Sequence, residues 1–344
     1  MPRQDRFLRA CHRQDVDCTP VWLMRQAGRY LKEYQDIRKA HTFLEMCKTP
    51  ELAVEVTLQP IRRFELDAAI IFSDILLPLE GMGIGLEFSE GEGPVLLNPV
   101  RTRKDVETMR QIDPEKDLAY VLQALEITRN EVNGIVPLIG FAGAPFTLAS
   151  YAIEGGGSKN YLNTKALMYS ESATFHLLME KLTDMVISYL NAQIRHGAQA
   201  VQVFDSWVGT LSVTDYREFV APHMKRLFAA LDPAAPNIHF ALGASHLLEL
   251  VSSAGGDVIG IDWRTPLDEA WRKIGHEKAI QGNLDPALLF GSREHLAAGT
   301  ADILERAANR DGHVFNLGHG VFPGTPVENV SLLVDLVHTR SKRS

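Results

Sequence analysis

The chain has 344 residues, of which 45% are hydrophobic and 23% are charged. This is ordinary globular composition with enough apolar material for a large core. The formal net charge of −8 argues against a surface that binds nucleic acid or an anionic membrane, so any anion site must be a local basic cleft. Because no apolar run has the length of a membrane span or the place of a signal core, we expect a cytoplasmic protein without nucleic-acid or membrane partners.

The three cysteines lie close to the N-terminus and are few for a protein of this length. Cys11, Cys18 and Cys47 show no C-x-x-C spacing, and an odd, sparse count suits a reducing compartment. We expect three free thiols and no metal site that uses sulfur ligands.

Short apolar runs alternate along the chain with stretches of helical spacing. The runs are predicted strands buried on both faces, namely VWLM (21–24), AAIIF (68–72), VPLIGF (136–141), AVQVF (200–204), NIHFAL (237–242), DVIGID (257–262), AIQGN (279–283) and HVFNLG (313–318). The predicted helices cover 50–64, 163–196, 213–231 and, after a Ser292 cap, 292–309. Outside this alternation stand 5–12, 81–97 and 103–112, which we interpret as an N-terminal extension and an insertion with a hairpin around GMGIGLEF (81–88).

Eight strands that alternate with helices, without a linker, predict an α/β fold with a single (β/α)₈ TIM-type barrel domain over residues 1–344. A doubly wound open sheet is the alternative. Active sites of such barrels lie where the strands end at the C-terminal face. The polar residues that follow the runs are therefore predicted to meet at one mouth, and they are Arg25, Asp74, Asp205, Ser206, Asp262, Asn283 and His319.

Two arginines four residues apart follow the first apolar run, in PVWLMRQAGRYLKEY. Arg25 and Arg29 keep their charge at any working pH and offer a planar set of donors, which indicates a site for carboxylates or phosphates. Gly28 between them allows backbone N–H groups to approach an anion. The alternative is a solvated helix face on which Arg29 pairs with Glu33.

Asp74 lies in the apolar surroundings of IIFSDILLPLEG. It is either a turn or helix cap, or a buried carboxylate that needs a raised pKa or a partner rich in donors. Tyr151 is either a core tyrosine or a hydroxyl that reaches into a cleft.

The remaining motifs favour no nucleotide, hydrolase or metal chemistry. Asp205 and Ser206 could cap a helix, and His319 could be an ordinary loop histidine. No G-x-S-x-G motif surrounds Ser206, and neither GMGIG nor the triple glycine at 155–157 has the context of a phosphate-binding loop.

Six motifs together resemble the uroporphyrinogen decarboxylase family in order and over nearly the whole chain: PVWLMRQAGRYLKEY, FSDILLPLEGMG, GFAGAPFTLASYAIEGGGSK, FDSWVG, QGNLDP and NLGHGVFPGTP. The resemblance implies a distorted (β/α)₈ barrel and a homodimer. It also implies an enzyme of haem biosynthesis that uses no cofactor and no metal. That enzyme removes CO₂ from the four acetate side chains of uroporphyrinogen III to give coproporphyrinogen III.

The resemblance also implies the site residues of this chain. They are Arg25, Gln26, Ala27, Gly28, Arg29, Asp74, Tyr151, Ser206 and His319. Asp74 would stabilise the cation that develops on a pyrrole, and Arg25 and His319 are the candidates for delivering a proton. The arginines would hold the carboxylates of the substrate.

Two alternatives stay open at this point. One is a corrinoid- or thiol-dependent methyltransferase of the same superfamily, which would hold zinc through a late cysteine, although no cysteine follows Cys47. The other is a tetrapyrrole carrier without catalytic activity, which would need the same arginines and aspartate.

Overall fold

A computed structural model describes residues 1–89 and 93–343 of the chain. Its helices are α1 (Arg3–Cys11), α2 (Lys32–Ala40), α3 (Phe43–Lys48), α4 (Pro50–Arg63), α5 (Leu77–Gly81), α6 (Arg103–Thr108), α7 (Pro114–Asp117), α8 (Ala119–Glu131), α9 (Pro145–Glu154), α10 (Leu162–Ser170), α11 (Ser172–Arg195), α12 (Val213–Asp215), α13 (Ala221–Ala229), α14 (Leu248–Ala254), α15 (Leu267–Ile274), α16 (Arg293–Ala307) and α17 (Val327–Arg340). Its strands are β1 (Ala69–Ile70), β2 (Leu86–Ser89), β3 (Gly93–Leu96), β4 (Leu138–Gly143), β5 (Ala200–Asp205), β6 (Asn237–Ala241), β7 (Val258–Gly260), β8 (Ala279–Gln281) and β9 (His313–Val314).

The strands form one parallel sheet and one hairpin. The parallel sheet has seven strands in the order β1-β4-β5-β6-β7-β8-β9, and neighbouring helices of the second half pack on each other from α13 to α17. The hairpin pairs β2 with β3 antiparallel, with Leu86 opposite Leu96. A hairpin is therefore present as predicted, but it begins at Leu86 and extends beyond the predicted 81–88; residues 90–92 lie outside the described part.

The parallel sheet is strongly curled. Gln281 Nε2 on β8 donates a hydrogen bond to Gln202 Oε1 on β5 over 3.0 Å, although two strands lie between them. In a flat sheet these strands would be about 14 Å apart at about 4.8 Å per neighbour. Trp22 Nε1 extends this buried polar chain by donating to Gln281 Oε1 over 3.0 Å. The curl therefore brings distant strands, and the loops that follow them, around a common centre.

The first predicted strand, at 21–24, is not formed. The segment makes a single parallel bridge between Val21 and Phe315. Phe315 N donates to Pro20 O over 2.8 Å on one side of the segment, and Asp67 N donates to Val21 O over 2.8 Å on the other. The expectation of eight strands is thus corrected to a sheet of seven in the described residues.

The reason is a turn directly after Trp22. Gln26 N donates to Leu23 O over 2.9 Å, and Arg25 adopts the left-handed backbone region with a φ of 59°. A chain that reverses there cannot continue pairing beside β9. The apolar pattern of VWLM predicts burial correctly but not strand length.

Two predicted helices are interrupted. The stretch 163–196 is divided at Glu171, whose φ of −137° and ψ of 55° are not helical, so α10 and α11 are separate. The stretch 213–231 contains a π-helical turn at Tyr216–Val220 before α13. Pro222 explains the second break, because proline has no N–H for the helical ladder and favours a wider turn before it. By contrast, Ser292 caps α16 as predicted.

All three cysteines are buried and free, as predicted. Burial raises the pKa of the Cys11 and Cys47 thiols well above the ordinary value, so both stay protonated at neutral pH. None of the described helices has the length and apolar character needed to cross a bilayer.

A buried carboxylate joins both ends of the chain to the sheet. Asp67 is fully buried and accepts hydrogen bonds from Arg6 Nη1 at 2.9 Å, from Val21 N at 2.8 Å and from His338 Nε2 at 2.7 Å. Arg6 also pairs with Asp17 through two nitrogens. These contacts hold α1 and α17 against the segment that precedes the Arg25 turn.

We expect Asp67→Asn to lower the free energy of unfolding by about 3 kcal/mol, because it removes a fully buried carboxylate that accepts from the partly buried Arg6 guanidinium and from Val21 N. Urea unfolding measures this loss. Asp15→Asn is the matched control: Asp15 pairs with Arg9 on the surface, where such a pair contributes less than about 1 kcal/mol. Equal losses in the two variants would contradict the role assigned to Asp67.

Candidate active site

The candidate site lies where the parallel strands end, and two glycines bring its loops into contact. A methyl group added to Gly320 would lie 2.4 Å from Arg25 Cδ, and one added to Gly318 would lie 2.4 Å from Trp263 N. The loop after β9 is therefore packed directly on the Arg25 side chain and on the loop after β7. Only glycine leaves room for approaches this close.

Arg25 is exposed, and its backbone conformation sets the direction of its side chain. Its left-handed φ of 59° is uncommon for a residue with a side chain, and strain of this kind occurs at functional sites. The aliphatic part of the side chain lies on Gly320. The guanidinium forms no salt bridge with a carboxylate of the described residues, so its charge is available to a ligand.

The turn after Arg25 presents backbone N–H groups that are unpaired within the described part of the chain, whereas the side chain of Gln26 is already hydrogen bonded within the fold. Gln26 is buried: its Oε1 accepts from Leu23 N at 3.1 Å and its Nε2 donates to Ala68 O at 3.1 Å. Its side chain thus fastens the turn to the start of β1. The N–H groups of Ala27, Gly28 and Arg29 have no acceptor among the described residues and can bind an anion.

Arg29 is exposed and lies near the Tyr34 hydroxyl. Burial raises the pKa of the Tyr34 hydroxyl, and Arg29 and Arg38 oppose that rise, so both cations lie near this phenol. Glu33, which could have paired with Arg29, instead pairs with Arg63 at 2.5 Å. The surface ion pair considered from the sequence is therefore not formed.

Asp74 follows β1 and is half-buried. Its Oδ1 accepts from Leu76 N at 2.8 Å, and Oδ2 has no donor among the described residues. Desolvation raises the pKa of this carboxyl to about 6, while the Leu76 N–H and the positive charge of Arg25 oppose the rise. Asp74 and Arg25 thus share one site without a direct salt bridge, and the carboxylate is mostly ionised at neutral pH.

Tyr151 on α9 lies near the charges of Asp74 and Arg25. Burial raises the pKa of its hydroxyl to about 12, Asp74 adds to the rise and Arg25 opposes it. The phenol is therefore a neutral hydrogen-bond donor at any working pH. Its ring packs on Trp207, with 5.7 Å between the ring centroids.

Ser206 is half-buried in the turn after β5, beside Trp207. Thr147 on α9 fixes this turn, because its hydroxyl accepts from Trp207 N at 3.3 Å and donates to Asp205 Oδ1 at 2.9 Å. Asp205 itself is fully buried behind the sheet end. The structure thus places Ser206 at the mouth and gives Asp205 a supporting position.

His319 is half-buried in the loop after β9, and Phe322 stacks on it with 6.2 Å between ring centroids. Burial lowers the pKa of its imidazole to about 4, and the positive charges of Arg25 and Arg264 add to this effect. The ring is neutral at pH 7. Its Nδ1 is buried and has no hydrogen-bond partner among the described residues.

Asp262 and Asn283 hold loops in place. Asp262 Oδ2 accepts from Gly243 N at 2.6 Å, and Asn283 Nδ2 donates to Asp262 O at 2.8 Å and to Thr265 O at 2.7 Å. No three His, Cys, Asp or Glu side chains in the described ranges are grouped so that they could hold a metal ion.

The sequence reasoning missed three neighbours of the site: Trp207, Arg264 and Phe322. Each stands one to three residues beyond a residue that was predicted, so only the first polar residue after each strand had been considered. The geometry groups Arg25, Asp74, Tyr151 and His319 in one electrostatic environment, because Arg25 acts on the pKa of the other three. Such a site can hold anionic groups at its rim and N–H donors at its centre.

Comparison with known proteins agrees over nearly the whole chain. The family model described as Uroporphyrinogen decarboxylase (URO-D) matches residues 2–340. The uroporphyrinogen decarboxylase of Carboxydothermus hydrogenoformans is 58% identical, with 99% of this chain and 97% of that protein covered. The uroporphyrinogen decarboxylase of Geobacter sulfurreducens is 52% identical, with 98% and 99% covered.

A solved methyltransferase from Methanosarcina mazei is similar in fold, with a TM-score of 0.83 over 98% of both chains at 21% identity. At that identity the likeness concerns the fold alone. The family match and the identities above one half carry the assignment, and the chain belongs to the uroporphyrinogen decarboxylase family.

Proposed function

We propose that the chain is a carboxy-lyase that removes CO₂ from the four acetate side chains of uroporphyrinogen III and releases coproporphyrinogen III. Beside family membership, one observation carries the proposal. A desolvated Asp74 carboxylate and an Arg25 guanidinium lie in the same mouth without forming a salt bridge with each other. A reduced tetrapyrrole has N–H donors at its centre and carboxylates at its edge, which complements this arrangement. The methyltransferase alternative has only the likeness in fold to support it.

Asp74 acts on the pyrrole nitrogens. Loss of CO₂ leaves an electron pair, which a pyrrole accepts after it has been protonated at carbon and has become cationic. The free Oδ2 of Asp74 accepts hydrogen bonds from pyrrole N–H groups and stabilises the positive charge as it develops. No cofactor or metal is needed for this step, and the absence of both remains a prediction.

Arg25, Arg29 and the free N–H groups of Ala27 and Gly28 bind carboxylates of the substrate. Tyr151 and Ser206 donate hydrogen bonds that orient the ring under reaction. His319 binds as a neutral imidazole, because a group with a pKa near 4 carries almost no positive charge at pH 7. This leaves Arg25 as the better placed of the two candidates for proton delivery.

Anaerobic incubation with uroporphyrinogen III tests the proposal. We expect successive loss of carboxyl groups, which chromatography of the oxidised products measures. A tetrapyrrole carrier would bind the substrate and return it unchanged, which would contradict the proposed activity.

We expect Asp74→Asn to lower kcat by about 10²-fold to 10³-fold, as loss of one preorganised charge-stabilising group does in other enzymes. Since the folded state raises the pKa of Asp74, its ionised form destabilises the fold at neutral pH, and the variant should unfold at the same or a higher temperature. Steady-state kinetics and thermal unfolding measure the two effects. Activity close to that of the unsubstituted chain would contradict the role of Asp74.

The pH profile separates Asp74 from His319. As the pH falls through about 6, Asp74 becomes protonated and loses the negative charge that stabilises the developing pyrrole cation, so kcat/KM should decline there. His319→Asn should lower activity but keep this limb, because the imidazole is already neutral above about pH 5. A limb that disappears or moves in His319→Asn would assign the titration to the histidine instead.

Gly320→Ala tests the placement of Arg25. The added methyl would lie 2.4 Å from Arg25 Cδ and 2.7 Å from Cγ, so the side chain must leave its position. We expect KM for uroporphyrinogen to rise about tenfold, the effect of losing one charge-assisted hydrogen bond. Gly157→Ala is the control, since a methyl group there meets no heavy atom within 4 Å. Equal KM values in the two variants would exclude this role for the Gly320 contact.

Three further expectations remain proposals. We propose that segment 20–22, which hydrogen bonds toward both β9 and the start of β1, completes a TIM-type barrel with the seven strands. The homodimer implied by the resemblance can be checked by sedimentation. A cytoplasmic location is expected because the sequence shows no apolar signal core, and cell fractionation tests it; the absence of nucleic-acid partners is expected from the net charge of −8.

A further inference from the structure

A second exposed guanidinium lies beside His319, on the loop after β7. The backbone of Trp263 touches Gly318 so closely that a methyl group on Gly318 would lie 2.4 Å from Trp263 N. Arg264 is the next residue, and 51% of its side-chain surface is exposed. The chain of contacts from Arg25 through Gly320 and Gly318 therefore ends at a second cation on the same rim.

The Arg264 guanidinium is fixed in position. Its Nη1 donates to Asp262 Oδ2 at 2.8 Å, and its Cζ lies 4.1 Å from the centroid of the Trp263 ring. The loop beneath it is held as well, because Asp262 Oδ1 accepts from Arg264 N at 2.9 Å and Thr265 Oγ1 donates to Ser245 Oγ at 2.6 Å. A cation that is ordered before binding loses less conformational entropy when a ligand arrives.

The bond to Asp262 leaves the guanidinium with free donors. Only Nη1 of the side chain has an acceptor among the described residues, so Nε and Nη2 have none. These two nitrogens form the side of the guanidinium that binds a carboxylate through two parallel hydrogen bonds. Asp262 binds the other side of the guanidinium: its Oδ2 accepts from Gly243 N and from Arg264 Nη1, and its Oδ1 accepts from Arg264 N.

We propose that Arg264 is a specificity-determining residue that binds a side-chain carboxylate of the tetrapyrrole at the same rim as Arg25. The proposal rests on the decarboxylase function proposed above. The substrate carries eight carboxylates, more than Arg25 and Arg29 can hold, and a chain with a net charge of −8 needs each local cation at this mouth. The effect of Arg264 on the pKa of His319 agrees with its position near the ligand.

The test compares Arg264→Gln with Arg272→Gln, which removes the same charge from an exposed position on α15. We expect Arg264→Gln to raise KM for uroporphyrinogen III about tenfold with kcat changed less than about twofold, since a rim contact contributes to binding alone. Arg264→Lys should give an intermediate KM, because lysine keeps the charge on a single donor nitrogen but not the two parallel donors of the guanidinium. Arg272→Gln should behave as the unsubstituted chain.

Affinity for uroporphyrin III, the oxidised macrocycle with the same carboxylates, gives a second readout by fluorescence titration. A weaker affinity in Arg264→Gln than in Arg272→Gln supports the inference, and equal affinities overturn it. If Arg264→Gln does not fold, the affinity of Arg264→Lys for uroporphyrin III is compared with that of Arg272→Gln instead, and a weaker or an equal affinity has the same meaning. Absence of turnover in the unsubstituted chain would instead overturn the proposed function, whatever the affinities are.

Discussion

The proposed function depends on two opposite charges, those of Asp74 and Arg25, which lie in one site without contacting each other. Direct pairing would satisfy Asp74 and Arg25 mutually and leave neither for a ligand. Instead, Asp74 has one fixed oxygen and one free oxygen, and its pKa is raised to about 6 chiefly by desolvation. Arg25 is held at a distance by its left-handed backbone and by the surface of Gly320. The separation keeps both groups ready for a ligand with donors at its centre and anions at its edge.

The curl of the sheet makes this separation possible. Arg25 follows the segment beside β9, Asp74 follows β1, and His319 lies beyond β9, so these residues are distant in sequence. The buried polar chain of Trp22, Gln281 and Gln202 joins distant strands, and Asp67 fastens the segment before Arg25 to both chain termini. The same segment, residues 20–26, thus contributes contacts that stabilise the fold and also positions Arg25 in the site.

The sequence predicted seven of the strands and the location of the site, because buried parallel strands have a strong apolar pattern and the chemistry-bearing residues follow them. The strand predicted at 21–24 is not formed. The apolar pattern there indicates burial alone, whereas the turn at Arg25 depends on hydrogen bonds that Gln26 makes with backbone distant in sequence. The family resemblance implied Gln26 as a substrate contact; its amide atoms are used within the fold, and a contact through its backbone stays a prediction. The low pKa of His319 arises from burial and from two arginines far away in sequence, which no local pattern reveals.

The central claim is that the free oxygen of Asp74 receives the N–H groups at the centre of a tetrapyrrole. A crystal structure of the protein with coproporphyrinogen III, grown without oxygen, tests it most directly. The account predicts Asp74 Oδ2 at about 2.7–3.2 Å from pyrrole nitrogens, with a side-chain carboxylate of the macrocycle on Arg25. A macrocycle bound with its nitrogens turned away from Asp74, or bound outside this mouth, would contradict it.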